Sequence, residues 1–359
     1  MNKFKIEIKN GTLNIDLFKQ MMPFEDLLDF ASRENPKRGF LFVSKVLGKH
    51  ISVKPSTMRD TYDLLVSQIN NDLGSFVIGM AETATGFGAG VADSLARAQS
   101  REVYYQHTTR YKCDLPIWFT LDENHSHAID HILYQPKIEL LEPISNCQRL
   151  ILVDDEISTG RTLKLLGDKI LPKMRFVKEV VIVSLVNWLS EENRAQYEEW
   201  DVTVTHVSLI DGQFDFQAKP NLNLSLPEKV DGDLVKKPCR DDLGRFAMKM
   251  PFCGHIPVLD ITFPRTVIGD GEHLYLPFLA AELAESRGGD VIFQSTTRSP
   301  ILVGNAINTK EAFQVDSRDV EHYIYNLQEN ERLPVLFLED ESLRSEHQLA
   351  QRFSPLERE

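Results

Sequence analysis

Apolar and polar positions alternate at the start of the chain: Phe4, Ile6 and Ile8, then Asn10-Gly11, then Leu13, Ile15 and Leu17. A period of two on either side of Asn-Gly predicts a β-hairpin with a type I′ turn, suited to covering a sheet edge or an open site. Further on the pattern becomes short, mainly apolar runs at residues 76–80, 150–153 and 180–186, with further strands read at 102–106 and 202–210. Such runs predict strands buried on both faces of a parallel sheet. Helical periodicity falls between them, at 91–98, at 163–170 with Leu163, Leu165, Leu166 and Ile170 on one face, and in the polar stretch 190–200. Strands alternating with helices predict an α/β, doubly wound parallel sheet. Residues 113–141 have little periodicity and read as a long irregular segment. Between about 221 and 237 the composition turns to Pro, Asp, Gly and Lys, which places a domain boundary there, with one domain over 1–222 and a second over 240–359.

The run at 150–153 leads directly into Asp154 and Asp155, so both acids emerge at the carboxyl end of a buried strand, where open α/β sheets bind their ligands. Ser158, Thr159, Gly160, Arg161 and Thr162 follow as a small hydroxyl-rich turn ahead of the helical segment. A strand, a turn of backbone N–H groups and a helix N-terminus together make a cradle for phosphate. The order is not that of a P-loop, which needs Gly-Lys-Ser/Thr and has no leading acid pair. A glycine-rich stretch, Ala81, Glu82, Thr83, Ala84, Thr85, Gly86 and on to Gly90, follows the run at 76–80. Its small residues let backbone amides approach an anion closely, and the helix at 91–98 adds its positive end.

Charge narrows the partners. The 359-residue chain carries a net charge of −13, which argues against nucleic acid or an anionic membrane as the main partner. Small phosphorylated substrates need only a local basic pocket. Lys37, Arg38, Lys45, Lys49 and His50 gather between residues 35 and 50, as a solvated basic face or as cations that meet substrate phosphates. Arg110 and Lys112 follow the run at 102–106, with His125, His127 and His131 behind them. Three histidines raise a metal site, but His125 and His127 are two apart and no cysteine accompanies them, which weighs against zinc. Cys113, Cys147, Cys239 and Cys253 form no Cys-x-x-Cys pair or disulfide framework and are expected to be reduced thiols. No apolar run approaches membrane-spanning length and the N-terminus lacks a signal-peptide core, so the cytoplasm is the expected location.

Asp154-Asp155, two variable residues and Ser-Thr-Gly-x-Thr resemble the phosphoribosyl diphosphate (PRPP) motif of type I phosphoribosyltransferases. The resemblance implies that Asp154 and Asp155 bind the ribose hydroxyls and that Ser158, Thr159, Gly160, Arg161 and Thr162 wrap the 5′-phosphate. Residues 81–86 resemble the family's diphosphate-binding loop, in which many members hold a non-proline cis peptide. Residues 113–141 are similar to its mobile hood, which closes over PRPP, and Arg110, Lys112 and His125 or His127 are then the groups that meet the departing diphosphate. Magnesium is the implied cofactor, held at Asp154 and Asp155 mainly through substrate and water. Ser158 stands where purine-salvage members often carry an acid, which puts a hypoxanthine-type assignment in question.

The C-terminal part echoes the first. Residues 77–82, Ala92-x-x-Leu-Ala96, 102–110 and 151–156 recur in order as 267–272, Ala280-x-x-Leu-Ala284, 290–298 and 336–341. Both chemical loops are replaced, by His273-Leu-Tyr-Leu-Pro277 and by Ser342-Leu-Arg-Ser-Glu346. The expectation is a degenerate second phosphoribosyltransferase-like half that does not turn over PRPP. Its strand ending at Gln294 and its strand 335–338 should lie side by side in a parallel sheet. Thr296, Thr297, Arg298 and Ser299 would form a candidate site for a smaller anion or partly formed product. With residues 35–50, 108–110, 125–128 and 294–300 added, the whole chain resembles the phosphoribosyltransferase of tellurite-resistance-type stress operons. That family has an orotate-type domain followed by one named for its Thr-Arg-Ser-Pro signature. Membership implies a PRPP-dependent glycosyltransferase that moves the phosphoribosyl group to a base-like acceptor and releases diphosphate, in a stress-linked pathway to a nucleoside-like product. The implied partners are PRPP and the acceptor, and beyond them a second copy of the chain or enzymes of the same operon. The competing reading is a PRPP-binding regulatory or scaffold subunit of a multienzyme assembly.

Overall fold

The computed structural model describes residues 2–33, 35, 38–70, 72–121, 131–219, 237–316 and 320–353. Strand β1 (Asn2–Ile8) runs antiparallel to β2 (Gly11–Gln20), with Phe4 opposite Ile15 and Ile6 opposite Leu13, as the alternation predicts. With Ile8 opposite Gly11 the turn residues are Lys9 and Asn10, and neither has a positive φ, so the turn is not type I′. Asn10 is a tie instead: its side-chain amide donates to Arg33 O and Gly39 O, each at 2.9 Å. Helix α1 (Phe24–Leu27) leads into the antiparallel pair β3 (Leu28–Ser32) and β4 (Phe40–Ser44). Next come α2 (Pro55–Val66), β5 (Ser75–Gly79), α3 (Ala84–Ala98) and β6 (Val103–His107). An antiparallel pair follows, β7 (Ile117–Leu121) and β8 (His131–Tyr134), then α4 (Ile138–Ser145), β9 (Arg149–Val153), β10 (Glu156–Ile157) and α5 (Arg161–Ile170). Strand β11 (Glu179–Asn187), α6 (Glu191–Ala195), β12 (Thr203–Ala218) and β13 (Met248–Met250) come next. The C-terminal part holds β14 (Arg265–Gly269), α7 (Tyr275–Ser286), β15 (Val291–Ser295), the antiparallel β16 (Lys310–Phe313) and β17 (His322–Tyr325), β18 (Leu333–Phe337) and α8 (Gln348–Arg352).

Two compact units result: one of Arg59–Asp211 with Lys236–His255, the other of Met1–Met58, Gly212–Val235 and Ile256–Glu359. The first 58 residues thus group with the C-terminal residues, and most of the expected boundary, 222–240, lies outside the described residues. In the first unit, β12, β11, β9, β5 and β6 lie side by side and parallel, and β13 adds antiparallel to β6. All five residues of each of β5, β6 and β9 are buried, as continuous apolar runs require. The chain is therefore α/β with a mostly parallel central sheet.

Three segments differ from the sequence reading. The glycine-rich stretch is mostly helix: α3 begins at Ala84, and its glycines permit close packing. A Cβ on Gly88 would lie 2.9 Å from Gly79 Cα, and one on Gly90 would lie 2.2 Å from the Tyr62 ring. Residues 113–141 contain the β7–β8 pair and the start of α4. In α5, Leu165 is exposed, and Gly167 joins Leu163, Leu166 and Ile170 on the buried face. No helix among the described residues is long and apolar enough to cross a membrane.

In the second unit β14 is central, with β15 and β18 parallel on either side, and Gly269 opposite both Ser295 and Phe337. The two strands expected side by side thus share one parallel sheet but are separated by β14. Strand β5 separates β6 and β9 in the same way, with Gly79 opposite both His107 and Val153. Hydrogen bonds repeat as well. Thr109 and Ile132 exchange a backbone pair, as do Thr297 and Tyr323. Gln106 Nε2 donates to Tyr134 O, as Gln294 Nε2 does to Tyr325 O. Tyr134 Oη accepts from Cys113 N and donates to Tyr111 O; Tyr325 Oη accepts from Ile301 N and donates to Ser299 O. The register slips by one residue at β18: Phe337 occupies the place of Val153, so Glu339 stands where Asp155 does, not Asp154.

Candidate functional site

The site is assembled where β9, β5 and β6 end together. Asp154 and Asp155 leave β9 half-buried. Their backbone is fixed to β11: Asp154 N donates to Val183 O at 3.1 Å and Leu185 N to Asp155 O at 3.1 Å. Asp155 N donates to Asp154 Oδ1 at 3.0 Å, so the acids are adjacent and turned together. Burial first, and then the charge of Asp155, push the Asp154 carboxyl well above the usual carboxylate range. A strand end that disfavours its own negative charge favours a hydroxyl donor or a cation.

The turn that follows is tied from both sides. Glu156 and Ile157 pair with Val186 and Asn187. Gly160 caps α5 in the left-handed region at φ 70°, which a glycine adopts without cost. Ser158 and Thr162 are half-buried, and Thr159 and Arg161 exposed. Two residues that no motif announced hold this turn. Tyr197 Oη donates to Gly160 O at 2.9 Å, and Gln196 Nε2 donates to Thr159 O at 2.7 Å. Burial, and then the charge of Asp154, raise the Tyr197 phenol above its ordinary value, which keeps its donor proton in place. Their only sequence signal is a polar helical stretch, 37 residues downstream of the groups they hold, which carries no hint of this contact.

The stretch 81–86 lies beside these acids, because Met80 N donates to Val153 O at 2.9 Å. The Ala81–Glu82 peptide is cis. Ala81 N donates to Thr108 Oγ1 at 3.0 Å and Ala84 N to Met80 O at 3.0 Å, so these amides hold the loop itself. An anion would meet the amides further along, through Thr83 and the start of α3, where the helix end is positive. Glu82, Thr83 and Gly86 are half-buried; Ala81, Ala84 and Thr85 are buried.

Arg110 and Lys112 are exposed just beyond the end of β6. The segment behind them is braced by residues 237–250. Lys237 N donates to Lys112 O at 3.0 Å, and Lys237 and Arg245 cover the Tyr111 ring at 4.8 and 5.2 Å. His125 and His127 lie outside the described residues. His131 faces Thr108, with Nδ1 3.1 Å from Oγ1. Lys45 and Lys49 fall in the other unit, where Lys45 Nζ donates to Glu25 O at 2.7 Å and Lys49 Nζ, buried, to Thr296 O at 2.9 Å. None of the four cysteines is disulfide-bonded. Burial pushes the Cys147 thiol up to about 12.

In the second unit the hydroxyls of the Thr-Arg-Ser-Pro segment take part in folding contacts. Thr296 Oγ1 accepts from Gly271 N at 2.8 Å and donates to Asp270 Oδ1 at 3.0 Å. Thr297 Oγ1 accepts from Ser299 N at 3.2 Å, and Ser299 Oγ from Arg33 Nη2 at 2.9 Å. Buried Asp270, Glu272 and Glu339 crowd the same strand ends.

A parallel α/β sheet with an acid pair, a glycine-capped turn and a cis-peptide loop at its carboxyl edge is the arrangement of the type I phosphoribosyltransferase fold. The chain belongs to the phosphoribosyl transferase family: residues 27–213 match that family, and residues 263–353 match the TRSP domain found C-terminal to it. Among solved structures it is similar to the adenine phosphoribosyltransferase of Trypanosoma brucei, determined with AMP, pyrophosphate and ribose-5-phosphate. That match has 13% identity and TM-score 0.37, and covers 52% of this chain and 77% of that one. The adenine phosphoribosyltransferase of Rhodothermus marinus matches at 18% identity and TM-score 0.33 over 50% of this chain and 92% of that one. The orotate phosphoribosyltransferase of Aeropyrum pernix matches at 17% identity and TM-score 0.30 over 50% and 84%. No curated protein matches the chain.

Proposed function

We propose that the Arg59–Asp211 unit transfers the phosphoribosyl group of PRPP to a base-like acceptor and releases diphosphate. The observation that carries this reading is the adjacency of Asp154 and Asp155 to the Gly160-capped turn on one side and the Ala81–Glu82 loop on the other. Asp154 and Asp155 accept the ribose hydroxyls, in charge-assisted hydrogen bonds worth roughly 1.5–3 kcal/mol each. The amides of residues 158–162 hold the 5′-phosphate at the N-terminus of α5. As the bond from the anomeric carbon to diphosphate oxygen breaks, that oxygen keeps the electron pair and the sugar gains oxocarbenium character. The acceptor's lone pair then forms the new bond on the opposite face. Arg110 and Lys112 stand near the end of β6, where negative charge grows on the leaving group.

Magnesium fits the donor set. Two adjacent carboxylates are hard oxygen ligands, and among the described residues no cluster of His, Cys, Asp or Glu forms a cage of its own. An ion would therefore be held largely by substrate oxygens and water, the usual habit of magnesium. When bound it supplies neutralisation of diphosphate charge. The cytoplasm and a stress-linked pathway to a nucleoside-like product are the setting proposed for this reaction.

Calorimetric titration of PRPP with magnesium tests the site. The folded Asp154→Asn, Asp155→Asn double variant is expected to lose binding; undiminished affinity would overturn the assignment. Isotope exchange between PRPP and diphosphate, run with candidate acceptors, reads the transfer itself.

A further inference from the structure

We infer that Thr108 and His131 form a positioning link through which the hood strand β8 sets the diphosphate loop; this inference rests on the phosphoribosyl-transfer reading and extends it. Both side chains are buried, Thr108 at 0% and His131 at 7% exposure. Ala81 N donates to Thr108 Oγ1 at 3.0 Å, and the same oxygen lies 3.1 Å from His131 Nδ1. A hydroxyl has one proton and two lone pairs. Having accepted from Ala81, it can give its proton to Nδ1, or accept from Nδ1 when the ring proton resides there. In either case a single oxygen joins the loop's first amide to an imidazole on β8.

Both ends of the link are rigid. Thr108 N donates to Gly79 O at 3.0 Å, which fixes Thr108 against β5. His131 begins β8 opposite Leu121, and the next residue, Ile132, exchanges a backbone hydrogen-bond pair with Thr109 at 2.8 Å each way. A shift of β8 is therefore passed through two hydrogen bonds to the Ala81–Glu82 peptide. The loop amides that follow take their direction from that peptide.

The second unit separates what the fold needs from what the site needs. There Gly271 N donates to Thr296 Oγ1 at 2.8 Å, and Thr296 N to Gly269 O at 3.0 Å, so the hydroxyl-to-amide clamp is part of the architecture. Thr296 gives its proton to Asp270 Oδ1, however, while His322, at the place of His131, lies beside Phe313 with ring centroids 5.8 Å apart. The proton of the clamping hydroxyl is thus directed to a carboxylate in the half without the glycine-rich loop. In the half that keeps the loop, the hydroxyl faces the hood.

The test compares Thr108→Val with Thr108→Ser, and His131→Leu with His131→Asn, whose amide can replace Nδ1. Calorimetry gives PRPP and diphosphate affinity with magnesium, and steady-state kinetics give kcat and KM. Thr108→Val and His131→Leu are expected to lower kcat/KM for PRPP by on the order of 10- to 100-fold, since a loop displaced by a fraction of an ångström misplaces the leaving group. Thr108→Ser and His131→Asn should restore most of it. The Val/Leu double variant should be no worse than either single one, because both break one link. Turnover equal to wild type in Thr108→Val, an equal loss in Thr108→Ser, or additive losses would overturn the link. If Thr108→Val does not fold, His131→Leu against His131→Asn decides by the same criteria. A wild-type protein that binds no PRPP overturns the transfer reading and the link together. Binding that is lost in the Asp154, Asp155 double variant, with both binding and turnover intact in Thr108→Val and His131→Leu, overturns the link alone.

Discussion

Asp154 is held in a form that its surroundings disfavour. In the unfolded chain it ionises near the ordinary value of 3.8, and in the folded one only at higher pH. Because the folded state holds the proton more tightly, stability falls as pH rises from the unfolded value through the folded one, and stays at its lowest above it. Asp154→Asn removes that loss, so without ligand it should melt higher than wild type at pH 7 while binding no PRPP. Scanning calorimetry between pH 3 and 8 checks this: the two melting curves should converge at the acid end, and a constant gap would reject the account. Gly160 is under the opposite constraint. An alanine there meets Tyr197 Oη at 2.2 Å and must keep φ near 70°, so Gly160→Ala should cost about 1–3 kcal/mol in urea unfolding and weaken PRPP binding. Asp154, Asp155 and Gly160 were legible in the sequence because strand end, turn and helix start are contiguous. Gln196 and Tyr197 were not, because their contact with the turn is made only once the next βα unit has packed.

Among the elements, α3 was the one most misread. Gly86, Gly88 and Gly90 signal a loop by the usual rule for breakers, yet two of them lie where α3 touches β5 and α2 too closely for a side chain. Tertiary contact overrode propensity. Gly90→Ala should therefore destabilise by about 1–3 kcal/mol through the Tyr62 ring, although alanine is the better helix former. A gain in thermal stability would show that the ring moves aside. The β7–β8 pair escaped notice for another reason: Ile117 is exposed and the strands are short, so no clean alternation marks them. The role proposed for the cations before this pair is open to a kinetic test. Arg110→Ala should lower kcat more than PRPP affinity, since its contact strengthens as diphosphate charge develops. A loss confined to KM would make Arg110 a ground-state clamp.

At the scale of the whole molecule, the echo read from four short words proves to be a shared β-strand order and hydrogen-bond pattern. Words alone could not show that β14 would stand between β15 and β18, or that β18 would slip by one residue, since sequence likeness carries no information on strand order. Nor did the sequence reveal that β15 takes its edge partner from the N-terminus. Val53 and Phe293 exchange backbone hydrogen bonds at 3.0 and 2.7 Å, and Ser295 N donates to Gly48 O at 2.8 Å. Removing residues 1–58 should accordingly deprotect β15 in hydrogen exchange while leaving β9 and β11 protected; full protection of β15 would refute this. That pairing also governs the order of events at the ribosome. Val53 emerges about 240 residues before Phe293, so at 5–20 residues per second the first hairpins wait roughly 12 to 50 s for their partner strand. The parallel sheet of the other unit is made within that interval, so it can form before the N-terminal residues find β15.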